Sequence, residues 1–112
     1  MSYNFKFLGK GMKFQENYDP EYANSTSKKF LRLAERIEPI LLKALKVKDP
    51  QVEGVSVIGV TQGSIVVDAE IFVKDDATSS SESLGTIIEE AAKNNELDGL
   101  TPAANFSATV DG

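Results

Sequence analysis

Residues 52–74, which read VEGVSVIGVTQGSIVVDAEIFVK, decide the fold of this chain. The second half of the stretch predicts a strand over Ser64–Lys74, because every other residue is apolar. The residues that share this apolar face are Ile65, Val67, Ala69, Ile71 and Val73. The opposite face is mostly polar, with Val66 and Phe72 as exceptions, so one face of the strand is expected to be buried and the other open.

A second strand is predicted just before it, over Val52–Val60. Its facing is ambiguous, because the valines in the middle of the segment and the aliphatic residues near its end point to opposite sides. Thr61-Gln62-Gly63 between the two strands predicts a hairpin turn, in which glycine supplies a backbone angle that other residues resist.

A helix is predicted over Ser27 to about Leu45, because the apolar residues recur at steps of three and four. They are Phe30, Leu33, Ala34, Ile37, Ile40, Leu41, Ala44 and Leu45. Thr26 or Ser27 is expected to cap its N-terminus. Pro39 lies inside the pattern and removes one helical hydrogen bond, so a kink or break is expected there.

A second amphipathic helix is predicted from about Leu84 to Asn94, with Ser81 or Ser83 as its cap. The polar, serine-rich stretch Asp75–Ser83 before it has no periodicity, and it is interpreted as a mobile loop.

Two further strands are predicted near the ends of the chain, at Tyr3–Leu8 and Ala104–Val110. Gly9 and Gly11 are expected to end the first of them and to begin a loop that runs to about Ser25. The resulting order is strand, helix, strand, strand, helix, strand. It predicts one α+β domain over residues 1–112, with a ferredoxin-like βαββαβ topology: a four-stranded antiparallel sheet carrying both helices on one face.

Composition excludes several functions. The net charge of −5 argues against nucleic acid as a partner. The chain has no Cys and no His, which removes disulfides, thiolate nucleophiles and imidazole bases, and no metal or cofactor is expected. No apolar run approaches the roughly 18 residues of a membrane helix, so the domain is not expected to insert into a membrane. The N-terminal segment contains no long apolar signal region, so an extracellular protein would carry this chain as one excised domain.

The hairpin segment Gln62-Gly63-Ser64-Ile65-Val66-Val67-Asp68 resembles the cleavage motif of SEA domains, in which Gly and Ser precede three β-branched aliphatic residues. It stands at the start of the third strand of a βαββαβ order, as in that family. The segment from Phe14 to Phe30, with Ser27 as a cap, is similar to the loop before the family's first helix. The resemblance covers nearly the whole chain and implies a module of a membrane-bound or secreted glycoprotein.

In members of the family that cleave themselves, the resemblance implies that the Ser64 hydroxyl attacks the Gly63 carbonyl. The acyl group moves from nitrogen to oxygen, and water then hydrolyses the ester. Ile65, Val66 and Val67 would hold the following strand in the sheet. Because the chain has no His, backbone strain would have to lower the barrier. Each chain would react once on itself, so the protein is not expected to be a turnover enzyme, and its first partners would be its own two fragments.

Two N-glycosylation patterns fit an extracellular setting: Asn24-Ser25-Thr26 and Asn105-Phe106-Ser107. Extracellular proteins or glycans are the external ligands that this setting suggests. Two alternatives stay open. One is an uncleaved SEA spacer or binding module with an adhesion or glycan-associated role. The other is an unrelated cytosolic ferredoxin-like domain that binds a protein through its open sheet face.

Overall fold

The computed structural model describes residues 5–112. Four strands form one antiparallel sheet: β1 (Phe5–Phe14), β2 (Val52–Gln62), β3 (Ile65–Val73) and β4 (Thr109–Asp111). Two helices, α1 (Lys28–Lys48) and α2 (Ser81–Lys93), pack together on one face of it, and a short 3-10 helix covers Pro20–Ala23. The strand order β2-β3-β1-β4 confirms the predicted ferredoxin-like α+β fold. Tyr3 and Asn4 of the predicted first strand lie outside the described residues.

Strand β3 lies in the interior of the sheet and pairs with both β1 and β2. Its five apolar alternating residues, Ile65 to Val73, are all buried against the helices, and the residues between them are half-buried on the open face. The alternation that predicted this strand is therefore confirmed. The core beneath the helices holds no buried polar or charged residue among the described ones.

Two bulges in β2 explain why its facing was ambiguous. The register shifts between Val52 and Gly54 and again between Val57 and Gly59. Each bulge inserts one residue and reverses the alternation of the residues after it. Val57 and Val60 consequently both face the core, whereas Ile58 between them is 44% exposed.

Strand β1 is longer than predicted, because the glycines do not end it. A register shift between Gly9 and Met12 absorbs them, with Gly11 at a φ of +72°. The Asp68 carboxylate accepts a hydrogen bond from the Gly11 amide (3.0 Å), and the strand continues to Phe14. The prediction of a break after Leu8 was wrong because local glycine signals were overridden by pairing with β3.

Helix α1 continues through Pro39, so the predicted break is wrong. Ser27 caps the helix by accepting from the Phe30 amide (3.1 Å). Pro39 and Glu35, whose carbonyl loses its partner, are exposed, so water can hydrate that carbonyl. Ile37 and Leu41 on the other face are buried and hold both halves of the helix against the sheet.

Helix α2 begins three residues earlier than predicted. Ser80 is its cap, in a capping box in which the Ser80 and Ser83 side chains each accept from the other's amide. The loop before it is attached to the rest of the fold. Gln51 accepts from the Thr78 amide (3.0 Å), and the Ser79 hydroxyl donates to Asp49. These contacts argue against the predicted mobility of its last residues.

The last strand is much shorter than predicted, since residues 104–108 are not a strand. Pro102 forms an isolated bridge to Phe14, and the chain then turns at Ala104 and Asn105. Phe106 packs its ring on Phe14, with centroids 5.4 Å apart, and is half-buried. The apolar alternation in this segment reflects side chains that cover the end of the core without strand pairing.

Candidate functional site

The hairpin turn between β2 and β3 contains two residues, Gly63 and Ser64. Gln62 pairs with Ile65 and Thr61 pairs with Val66, so both Thr61 and Gln62 belong to β2. The predicted turn over Thr61–Gly63 is thus displaced toward Ser64 in the structure. The shift places the bond between Gly63 and Ser64 at the centre of the turn, where a two-residue connection allows the least freedom.

Both residues of the turn have positive φ. Gly63 has a φ of +139°, which side-chain-bearing residues rarely adopt, and a Cβ placed on it would lie 3.3 Å from Cγ2 of Val66. Ser64 has a φ of +52°, in the left-handed region that costs a non-glycine residue roughly 1–2 kcal/mol. The two residues that flank the predicted scissile bond therefore both hold unfavourable or glycine-specific backbone angles.

The three aliphatic residues after Ser64 anchor the turn to the sheet. Ile65 and Val67 are buried, and Val66 is half-buried on the open face. Ile65 pairs with Gln62 on one side and with Phe14 on the other. The predicted supporting residues are thus adjacent to the turn and paired on both sides, so the turn cannot relax without disturbing the sheet.

The Ser64 side chain is exposed. Since the chain contains no His, no imidazole can activate it. A charged side chain lies beside Gly63: the ε carbon of Lys13 on β1 is 4.0 Å from a Cβ placed on Gly63. No local sequence signal marks Lys13, because only the pairing of β1 with β3 brings it to the turn.

The two predicted glycosylation asparagines are both exposed. The Asn24 side-chain oxygen accepts from the Thr26 amide (2.9 Å) and from the Thr26 hydroxyl (2.6 Å), so the tripeptide forms a local turn. Asn105 lies in the turn before Phe106, and not in a strand as predicted.

Neither α1 nor α2, the two α-helices within residues 5–112, has the length and apolar composition of a membrane-spanning segment. Comparison with curated proteins gives no match. The model of the SEA domain family matches residues 3–100. This match covers most of the chain, and the four-stranded antiparallel sheet with its two helices is consistent with the SEA fold. The chain belongs to the SEA domain family, whose members are extracellular modules of glycoproteins.

Proposed function

We propose that this SEA domain cleaves its own backbone between Gly63 and Ser64. The observation that carries the proposal is the two-residue turn, in which both residues that flank the bond have positive φ. Folding supplies the distortion, because the strands on either side are paired up to Gln62 and Ile65. Typical domains have an unfolding free energy of about 5–15 kcal/mol, which is enough to hold a turn that costs a few kcal/mol.

The reaction needs only the two residues and water. The Ser64 oxygen forms a bond to the Gly63 carbonyl carbon, and the carbon–nitrogen bond breaks, so the hydroxyl proton ends on the Ser64 nitrogen. The product is an ester between Gly63 and the Ser64 oxygen. Water then adds to the ester, leaving a carboxylate on Gly63 and restoring the Ser64 hydroxyl.

The fold would keep the two fragments together after cleavage. The N-terminal fragment supplies β1, α1 and β2, whereas the C-terminal fragment supplies β3, α2 and β4. Strand β3 lies between β1 and β2, so one fragment inserts its strand into the sheet of the other. All three strand pairings of the sheet join one fragment to the other, so separation would require the loss of these pairings and of the shared core, and therefore unfolding.

We further propose that the domain acts outside the cell, as part of a cell-surface or secreted glycoprotein with N-glycans at Asn24 and Asn105. The family supports this location, and the exposure of both asparagines supports their access to glycosylation. External partners of such a module would be extracellular proteins or glycans.

One set of secreted variants tests both proposals. Expressed through a secretory pathway, the wild-type chain is expected to run as one species in native chromatography and as two bands under denaturing conditions. Ser64→Ala should give one band, because it removes the nucleophile, and Ser64→Cys should give partial cleavage, because a thiol can make the same attack. Enzymatic removal of N-glycans should lower the apparent mass, on the denaturing gel, of the fragment that carries each asparagine.

A single denatured band from folded wild-type protein after days at neutral pH would refute cleavage. The domain would then be an uncleaved spacer or binding module. Absence of any glycan on the secreted chain would contradict the proposed glycosylation without affecting the cleavage result.

A further inference from the structure

Lys13 lies beside the turn on the open face of the sheet. It is half-buried, and it pairs with Val66 across the β1–β3 ladder. Its ε carbon is 4.0 Å from a Cβ placed on Gly63, and the ammonium is one bond further along the side chain. Rotation about the last side-chain torsions moves the ammonium among positions close to the Gly63 backbone.

The positive charge of Lys13 is not neutralised by a neighbouring carboxylate. Within residues 5–112, Lys13 forms no ion pair. The two acidic side chains of β3 on the same face are both engaged: Glu70 pairs with Lys6 (2.8 Å), and Asp68 accepts from the Gly11 amide (3.0 Å). The Lys13 ammonium is thus free to interact with a negative charge at the turn.

We propose that Lys13 stabilises the oxyanion that forms on Gly63 during cleavage, an inference that rests on the proposed self-cleavage. When the Ser64 oxygen bonds to the carbonyl carbon, the electron pair of the C=O double bond moves onto the carbonyl oxygen. The Lys13 ammonium donates a hydrogen bond to that oxygen and stays protonated. The pair returns as the carbon–nitrogen bond breaks, and the proton from the Ser64 hydroxyl ends on the departing nitrogen.

The test measures the cleavage rate of Lys13→Met, Lys13→Arg and Lys10→Met beside the wild type. Each uncut chain is prepared denatured in urea and diluted to start folding, and the two bands are followed with time. Lys13→Met keeps most of the apolar side chain but removes the charge, and it should slow cleavage about fivefold in this solvent-accessible setting. Lys13→Arg keeps the charge and should remain within about twofold of wild type.

Lys10→Met is the matched control, because Lys10 lies on the same strand but pairs with Asp111 at the far edge of the sheet (3.5 Å). It should cleave at the wild-type rate. High salt should slow the wild type and leave Lys13→Met unchanged, because only the wild type uses the charge. Urea unfolding of each variant combined with Ser64→Ala should show that the folds are equally stable.

Three results would overturn the role of Lys13. If Lys13→Met cleaves as fast as wild type, or if Lys13→Arg is as slow as Lys13→Met, the charge does not act at the turn. In both cases the wild type still cleaves itself, so the proposed function is unaffected. If the wild type itself remains uncut, the proposed cleavage and the role of Lys13 fail together.

Discussion

At the level of the residue, Ser64 combines a reactive side chain with an unfavourable backbone conformation. The same hydroxyl could stand in a relaxed turn, but in this hairpin its φ is +52°. Gly63 beside it tolerates a φ of +139° only because it has no side chain. The chemistry proposed for this bond therefore depends on the identity of two residues and on the conformation that the hairpin imposes on them.

Comparison of Ser64→Gly with Ser64→Ala measures the strain directly. Both variants lack the nucleophile and remain uncut, but glycine adopts positive φ without the steric cost that alanine meets. Ser64→Gly is expected to have the higher free energy of unfolding, by about 1 kcal/mol, in urea titrations. Equal stabilities would mean that the turn stores little strain at Ser64.

At the level of the element, each α-helix carries a glutamate that accepts a hydrogen bond from a backbone amide outside the helix. Glu38 of α1 accepts from the Val57 amide of the edge strand β2 (2.9 Å), and Glu89 of α2 accepts from the Ala108 amide just before β4 (3.0 Å). These contacts cover amides at the two edges of the sheet that would otherwise be open to another strand. Helix α1 holds Glu38 in place although Pro39 follows it directly.

Replacement of Pro39 by Ala is expected to stabilise the protein. The residue is exposed in the middle of a continuous helix, and alanine restores the missing amide and its hydrogen bond. The gain in unfolding free energy should be about 1–3 kcal/mol in the uncut Ser64→Ala background. Pro50→Ala, just after the helix, is the control and should give no gain, because that position is not helical. A loss of stability in Pro39→Ala would show that the proline is required by the helix geometry.

At the level of the whole molecule, Asp49 connects three parts of the chain. It ends α1, accepts from the Gln51 amide at the start of β2 (3.1 Å), and accepts from Ser79 in the loop before α2. Partial burial of the carboxyl opposes ionisation, but the hydrogen bonds from Ser79 and Gln51 outweigh it and lower the pKa of Asp49. The ionised form is therefore the one that the folded state favours.

This lowered pKa predicts a pH-dependent contribution to stability. A carboxyl whose pKa is lower in the folded state stabilises the fold above its unfolded pKa of about 3.9, and the contribution is lost as the pH falls through the folded value. Asp49→Asn should consequently be less stable than its parent at neutral pH, and the difference should shrink below about pH 4. Urea titrations between about pH 2 and pH 7, which span the carboxyl transition, measure this difference in unfolding free energy.

Asp76→Asn removes the same formal charge from an exposed position in the loop before α2 and serves as the control. The free energy of unfolding of Asp76→Asn should equal that of the parent at every pH. If the difference in unfolding free energy between Asp49→Asn and its parent does not change with pH, the carboxylate charge is not what joins the three segments.

Local sequence patterns were sufficient to predict the four-stranded sheet, its central strand, both helices and the motif at the turn. Strict alternation from Ile65 to Val73 and the three- and four-residue steps of α1 each require one buried face, and burial dominates folding free energy. That is why Val67, Ile71 and Phe30 lie in the core as predicted. The Gly63-Ser64 pair was likewise visible, although the cleavage proposed for it stays a prediction.

Tertiary structure alone decided the features that depend on pairing between distant segments. The bulges in β1 and β2, the continuity of α1 through Pro39 and the short β4 all follow from contacts that local propensity does not contain. The same holds at the turn. The residue types allow positive φ, but the pairing of Gln62 with Ile65 reduces the turn to two residues, and the pairing of β1 with β3 brings Lys13 beside it. Local sequence specifies which conformations are accessible, whereas the packed sheet selects among them because its many pairings outweigh the cost at any one residue.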